Sequence, residues 1–241
     1  MIRKIYENAL AAVMKKPFRL WGISLLSGFL SFVGFMLFGV IPGVALSISI
    51  LLSTSMTMLF LHGYRGEEVQ VSRLFECFRD WKTVKRVLCG TGWSWLWIFL
   101  WFLIPFVGPI FAVIRAYRFR LVPYILVTEP EIGILDAVKV STERTKGWKS
   151  KMFLSELLFV LAVLVVNLVL ALLAMIPYLG VLFGIVNIIF TVAVTLFGVL
   201  FLGFVKAAFY EEIRNSVTVC PDCGGRIAPG VAFCPNCGRK L

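Results

Sequence analysis

Four cysteines near the C-terminus have the spacing of a metal site. They form two copies of the pattern Cys-Pro-x-Cys-Gly, and the candidate ligands are Cys220, Cys223, Cys234 and Cys237. Two residues between paired cysteines let one turn direct both thiolates to one ion, and Zn²⁺ prefers four tetrahedral ligands in closed structural sites. The glycine after each second cysteine permits the tight backbone path. The sequence therefore predicts a zinc ribbon with Zn²⁺ as a structural cofactor.

The predicted zinc site suits binding rather than catalysis. An ion with four thiolate ligands has no open coordination position for a reaction. Residues 215–241 carry few apolar side chains, so metal binding, worth on the order of 10–16 kcal/mol in such sites, must supply most of the folding energy. Disulfide bonds are the alternative, and a reducing cytoplasm disfavours them. We interpret the ribbon as an interaction module for a protein partner.

The rest of the chain is too apolar for a soluble domain. Of 241 residues, 60% are hydrophobic and 15% are charged, whereas soluble domains are about 45–50% apolar and about 25% charged. Four tracts are long enough to cross a bilayer, which takes about 20 residues of helix. These tracts are Phe18–Val40, Pro42–Leu61, Met152–Ile176 and Leu179–Val205. Residues 1–214 thus predict a multi-pass membrane domain, and residues 215–241 a zinc-ribbon domain.

The middle of the chain, residues 87–127, can be read as one span or as two. If it is one span, the basic residues 115–151 lie outside the cell. If it is a hairpin that turns at Pro105–Pro109, every basic link is cytoplasmic, as the positive-inside rule favours. The pattern therefore favours six spans in the cell membrane with both termini cytoplasmic. The net charge of +11 then reflects orientation and contact with anionic membrane lipids, and nucleic acid is disfavoured as a partner.

Three turns on the predicted outer side repeat one pattern, an Ile-Pro pair with a nearby glycine. They lie at residues 41–43, 104–108 and 176–180. Proline stops a helix and glycine allows a sharp reversal. An amphipathic stretch precedes each hairpin, and Thr128-Glu129-Pro130-Glu131 fits a capping box that predicts a helix start. The predicted fold is an all-α polytopic membrane protein of three hairpins with interfacial helices, plus the four-cysteine ribbon.

Five polar side chains lie inside or beside the apolar runs. They are Arg115, Arg118, Arg120, Asn167 and Asn187. Charge within a membrane is costly and often functional, for example as an anion contact, although arginines at the end of a short span can snorkel to the surface. Asparagines in mid-span can join helices by hydrogen bonds. These residues are candidate polar or anion contacts.

Three functional hypotheses follow, and a membrane enzyme is the one with the least support. The first is a membrane protein without catalytic machinery, whose cytosolic zinc ribbon binds a protein partner. The second is a transporter or lipid-handling protein with a site between the hairpins near Arg115, Asn167 and Asn187, because repeats often frame transport pathways. The sequence contains no P-loop, nucleophile elbow or HExxH motif, so no catalytic residue is predicted.

Short motifs in the membrane part resemble a known family. They are Ala137-x-x-x-Ser141 before Gly147, Ala116-Tyr117, Pro123–Leu126 before Glu129-Pro130, Pro177-Tyr178 and Ala207–Glu212. They are similar to motifs of the bacterial membrane family called domain of unknown function 975. The resemblance covers residues 1–214 and implies a multi-pass membrane protein without an established activity or catalytic residues. The ribbon would then be an appended module.

Overall fold

Helices dominate the part of the chain that the computed structural model describes, which is residues 2–15, 17–38, 41–216, 218–219, 222, 226–227 and 237–239. The helices are α1 (Ile2–Lys15), α2 (Pro17–Phe38), α3 (Pro42–Tyr64), a 3₁₀ helix (Val71–Phe78), α4 (Trp81–Phe102), α5 (Gly108–Arg118), α6 (Val122–Thr128), α7 (Ile134–Arg144), α8 (Lys149–Leu173) and α9 (Gly180–Ser216). Two short strands, β1 (Thr218–Val219) and β2 (Arg226–Ile227), pair antiparallel.

Within the described residues, four helices are long and apolar enough to cross a membrane, namely α2, α3, α8 and α9. They match the four apolar tracts and confirm the membrane character that the sequence predicts. The most apolar window of α8 has none of its residues buried within the protein. Its cover must therefore come from lipid or from another protein.

The middle of the chain forms a helical hairpin of α4 and α5, which is shorter than the other hairpins. The 11 residues of α5 measure about 16 Å along the helix axis, whereas the hydrocarbon core of a bilayer is about 30 Å thick. By length and composition, α4 and α5 are not among the four candidate spans. The hairpin itself is present, and the count of six spans stays a prediction.

Two of the three predicted Ile-Pro turns share a backbone feature, a residue with a positive φ angle two positions after the isoleucine. Phe106 and Tyr178 occupy equivalent positions and both have positive φ angles, 63° and 70°. The glycine that follows each turn lies against a backbone carbonyl. A Cβ atom on Gly108 would be 2.1 Å from the Trp101 oxygen, and one on Gly180 would be 2.3 Å from the Ala174 oxygen. The glycines are therefore required by close approach, and the repeat is real at the level of these two turns.

The tightly packed core lies at the end of the bundle where the C-terminal part of α9 meets α1, α3 and α6. Its largest fully buried side chains include Leu59, Leu61, Leu121, Ile125, Leu126, Leu200, Phe204, Tyr210 and Ile213. The rings of Tyr124 and Tyr210 stack with centroids 4.5 Å apart. Helix α6 is buried on this core and connects the end of α5 to the start of α7.

The helix start predicted at Thr128 is wrong. Thr128 is the last residue of α6, and the next helix begins at Ile134. The Thr128 hydroxyl donates to the backbone oxygen of Tyr124 at 2.8 Å and also contacts the Tyr210 hydroxyl. Because Tyr124 and its neighbours are buried, α6 continues up to Thr128. The Thr128 hydroxyl, which a capping box would need, is therefore already hydrogen-bonded within α6.

A candidate anion-binding pocket

A pocket of about 390 Å³ lies between α4, α5 and α7. Its lining combines aromatic and basic side chains: Trp93, Trp97, Arg115, Phe119, Val138, Lys139, Thr142, Glu143 and Lys146. Trp93 and Trp97 are one helical turn apart on α4, and their rings meet edge to face with centroids 6.1 Å apart. The two indoles form an apolar wall beside the cations.

Arg115 is oriented by an aromatic contact with the neighbouring helix. Its guanidinium lies over the Trp101 ring, 5.8 Å from the centroid, and Trp101 itself packs on Phe111 at 5.0 Å. A cation over an indole face is attracted by the ring quadrupole. This contact holds the Arg115 side chain at the pocket while leaving its donors free of any ion pair with a described carboxylate.

Helix α7 closes the pocket because small residues let it approach α5. Ala137 and Ser141 are fully buried, and the Ser141 hydroxyl donates to the backbone oxygen of Arg118 at 2.7 Å. Gly147 has a φ of 78°, a conformation that favours glycine and reverses the chain into α8. The spacing of Ala137, Ser141 and Gly147 therefore has a packing cause.

A buried ion pair fixes the C-terminal end of α7. Arg144 donates to both carboxylate oxygens of Glu129, at 2.5 and 2.9 Å, and both side chains are largely buried. These hydrogen bonds raise the pKa of the Arg144 guanidinium. Arg86 of α4 donates to the backbone oxygens of Leu126 and Glu129, each at 2.9 Å. Around the pocket, α4 and α7 are thus joined to the segment that follows α6 by arginines whose donors have hydrogen-bond partners.

Of the three cations that line the pocket, Lys139 pairs with Asp136, whereas Arg115 and Lys146 have no such partner in the described part of the chain. Among the described residues, no carboxylate forms an ion pair with Arg115, Arg118, Lys146 or Lys149. The Nε atom of Arg118 is buried without a hydrogen-bond partner. Lys149 is close enough to Arg118, Lys146 and Arg115 to interact with their positive charges. The pocket is therefore a region of excess positive charge, in which Glu143 supplies the acidic group of the lining.

Arg120, the third arginine of the predicted group, is engaged elsewhere. Its guanidinium forms an ion pair with Glu156 of α8 and lies over the Tyr117 ring at 5.0 Å. The Tyr117 hydroxyl donates to the other Glu156 oxygen at 2.6 Å. Arg120 therefore joins the segment that follows α5 to α8, and it does not line the cationic pocket.

The two asparagines join α8 to α9, as their mid-span positions predict. The Asn187 amide donates to the backbone oxygen of Asn167 at 3.2 Å. The Thr191 hydroxyl donates to the Asn167 side-chain oxygen at 2.9 Å. Asn167 lies about 16 Å beyond Glu156 along α8. The hydrogen bonds of Asn167 and Asn187 in the described residues go to Val163, Thr191 and each other, and none goes to Arg115.

Sequence reasoning did not assign the lysines and the glutamate of the pocket. Lys139, Glu143 and Lys146 lie on or just after α7 and line the pocket. In the sequence they are part of the basic segment between two predicted spans. Their spacing along one helical face was the available signal, since residues three and four apart are neighbours. The partner that turns this face into a pocket, the Trp93 and Trp97 wall, comes from a distant part of the chain.

Three of the four predicted zinc ligands, Cys220, Cys223 and Cys234, lie outside the described residues, and Cys237 is exposed. The donor chemistry of four thiols at matched spacing fits Zn²⁺. The strands β1 and β2 pair Thr218 with Ile227 and Val219 with Arg226. In the sequence, the first cysteine pair stands between these two strands.

Comparisons of the chain with family models, with curated proteins and with solved structures find no match. The resemblance of residues 1–214 to the membrane family stays a prediction that rests on its short motifs.

Proposed function

We propose that the membrane domain binds a phosphoryl-bearing anion in the pocket between α4, α5 and α7. The observation that carries the proposal is the pair of lining cations that have no carboxylate partner among the described residues, Arg115 and Lys146. Lys149 interacts electrostatically with both of them and with Arg118. Arginine and lysine are the usual ligands of phosphate oxygens. The cost of gathering like charges is offset once an anion binds between them.

The phosphoryl group can belong to a membrane lipid or to a free phosphate. The lipid fits the wall of Trp93 and Trp97, because indoles favour the level of the headgroups and pack on the first carbons of the acyl chains. The cations then hold the headgroup phosphate. This makes the protein a lipid-handling membrane protein, with no catalytic residue assigned.

The test is native mass spectrometry of the full chain in mild detergent. The protein is titrated with phosphatidylglycerol in one arm and with inorganic phosphate in the other. Replacing both Arg115 and Lys146 by glutamine should weaken lipid binding by at least about tenfold, since a hydrogen bond to a charged group is worth roughly 1.5–3 kcal/mol.

A matched control removes two exposed cations outside the pocket, Arg79 and Lys82, by Arg79→Gln and Lys82→Gln. Lipid affinity should be unchanged in this variant. Equal losses in both double variants would mean general electrostatic attraction and would contradict the proposal. Binding of phosphate without lipid would keep the site and assign it to a soluble anion.

We also propose that the C-terminal residues form a cytosolic zinc ribbon that binds a protein partner. The support is the pair of Cys-Pro-x-Cys-Gly motifs together with the β-hairpin pairing around the first motif. The measurement is zinc content per chain by atomic emission, with Cys234→Ser as the variant and Cys89→Ser as the control. Loss of zinc in the first variant alone is expected. Stoichiometric zinc in Cys234→Ser would contradict the proposal.

The membrane topology that we propose has six spans and both termini in the cytoplasm. Val107 and Leu179 lie at the two equivalent turns, with 53% and 47% of their surface exposed, and each is replaced by cysteine. Labelling of intact cells with a membrane-impermeant thiol reagent should modify both variants and spare the parent protein. Labelling at position 179 alone would reduce the count to four spans and make α4–α5 a hairpin that ends inside the bilayer.

A further inference from the structure

The pocket between α4, α5 and α7 contains a carboxylate beside its cations, that of Glu143. Among the described residues, this carboxylate forms no ion pair and no side-chain hydrogen bond. We propose that Glu143 binds the ammonium group of a phospholipid whose phosphate is held by Arg115 and Lys146, so that phosphatidylethanolamine is the preferred ligand. The inference rests on the phosphoryl pocket proposed above and names the class of lipid that this pocket selects.

Glu143 lies near the end of α7, between two lysines on one face of the helix. Lys139 precedes it by four residues and Lys146 follows it by three, and residues at these spacings are neighbours on a helix surface. The Lys146 amide donates to the Glu143 backbone oxygen at 3.0 Å, so the helical turn continues as far as Lys146. All three side chains line the pocket, and one headgroup can therefore reach both the carboxylate and a cation.

The two neighbouring lysines leave the Glu143 carboxylate available. The Lys139 ammonium donates to Asp136 at 3.0 Å instead. Glu143 and Lys146 are both exposed, and they form no ion pair with each other within the described residues. The pocket thus presents a carboxylate on α7 opposite the guanidinium of Arg115 on α5. A ligand that carries both an anionic and a cationic group matches this arrangement, whereas a simple anion matches only its positive part.

The Glu143 carboxylate ranks the phospholipid headgroups by their charge and by their donors. Phosphatidylethanolamine carries a primary ammonium close to its phosphate, and the N–H groups of an ammonium donate to a carboxylate. The glycerol headgroup offers hydroxyls and leaves the carboxylate without a counter-charge. The choline headgroup is cationic but has no N–H group. A headgroup with further negative charge is repelled, and such repulsion adds to specificity.

The experiment is a competition between lipids, measured by native mass spectrometry of the full chain in mild detergent. Phosphatidylethanolamine and phosphatidylglycerol with identical acyl chains are present at equal concentrations, and phosphatidylcholine replaces phosphatidylglycerol in a second arm. The parent protein should bind phosphatidylethanolamine in preference to either competitor by roughly fivefold, the upper range for an exposed ion pair. Glu143→Gln should remove this preference and retain phosphatidylglycerol, because Arg115 and Lys146 still hold its phosphate.

The matched control is Glu131→Gln, which removes an exposed carboxylate that does not line the pocket. This variant should keep the preference of the parent protein. Glu143→Lys, which reverses the charge, should turn the preference towards phosphatidylglycerol. A parent protein that does not distinguish the three lipids would overturn the inference, and so would a preference that survives Glu143→Gln.

The double variant with Arg115→Gln and Lys146→Gln separates this inference from the proposal on which it rests. If the double variant loses lipid binding and Glu143→Gln does not change the ranking of the lipids, the phosphoryl pocket stands and the selection of an ammonium headgroup is overturned. If the double variant binds all three lipids as the parent protein does, both are overturned. Because the Glu143 side chain is exposed, its replacement should leave the thermal midpoint of unfolding unchanged.

Discussion

The hairpins α4–α5 and α8–α9 have turns of the same kind, but their polar side chains differ in whether they have hydrogen-bond or ion-pair partners. Both turns place an aromatic residue at positive φ, Phe106 in one and Tyr178 in the other. In α8–α9, Asn167, Asn187 and Thr191 bond to one another and to backbone. In α4–α5, Arg115 contacts the Trp101 indole. It interacts electrostatically with Lys149 and forms no ion pair with a described carboxylate. The repeated turn is a structural feature, whereas the unmatched charge lies where we propose that a ligand binds.

The largest expected effect comes from breaking the ion pair that fixes α7 beside α4–α5. Glu129→Leu leaves the Arg144 guanidinium buried without its carboxylate, and such a loss costs about 3–5 kcal/mol. The free energy of unfolding in micelles measures it. Asp136→Leu is the control on α7, because its pair with Lys139 is exposed and worth at most about 1 kcal/mol. Similar losses in the two variants would show that the buried pair does not stabilise α7.

The shared turn can be tested by adding one methyl group to each hairpin. Gly108→Ala and Gly180→Ala both force a Cβ against a carbonyl oxygen, and each should destabilise the protein by roughly 1–3 kcal/mol. Gly92→Ala and Gly184→Ala are the controls in the same two hairpins, since no atom lies within 4 Å of their added Cβ. They should be neutral or stabilising by up to about 1 kcal/mol. A cost in one hairpin only would mean that the turns are not equivalent.

The smallest expected effect on stability comes from Asn167, and it distinguishes the hydrogen-bonded asparagines of α8–α9 from the arginine of α4–α5 that is unpaired among the described residues. Asn167→Leu should lower the free energy of unfolding by about 0.6 kcal/mol, the average for such bonds between membrane helices, and leave lipid binding unchanged. Arg115→Gln should instead weaken lipid binding and leave the free energy of unfolding within about 0.5 kcal/mol of the parent value. Loss of lipid binding in Asn167→Leu would contradict this separation.

The sequence predicted the parts of the fold that follow from local chemistry. The four long apolar helices and the two Ile-Pro turns depend on composition and on single residues such as Gly108 and Gly180, and both could be read in advance. The helix start at Thr128 was wrong because burial of Tyr124 and contact with Tyr210, far away in the chain, extended α6 instead. Local capping patterns lose to such tertiary contacts.

The candidate site was only partly predictable for the same reason. Arg115, Arg118 and Arg120 looked alike in the sequence, yet Glu156 neutralises one of them and leaves the other two beside Lys146 and Lys149. Ion-pair partners and pocket walls come from distant segments, so composition could mark the charge but could not say which charge is unmatched.

The most direct test of the unmatched charge is to map where a lipid phosphate contacts the protein. The full chain in nanodiscs is illuminated with a phospholipid that carries a photoreactive group beside its phosphate, and the labelled peptides are sequenced. We predict labelling concentrated at Trp93–Trp97 and Val138–Lys146, and its loss when Arg115 and Lys146 are both replaced by glutamine. Labelling that is equal on the α4–α5 and α8–α9 hairpins, or that survives these replacements, would contradict the account.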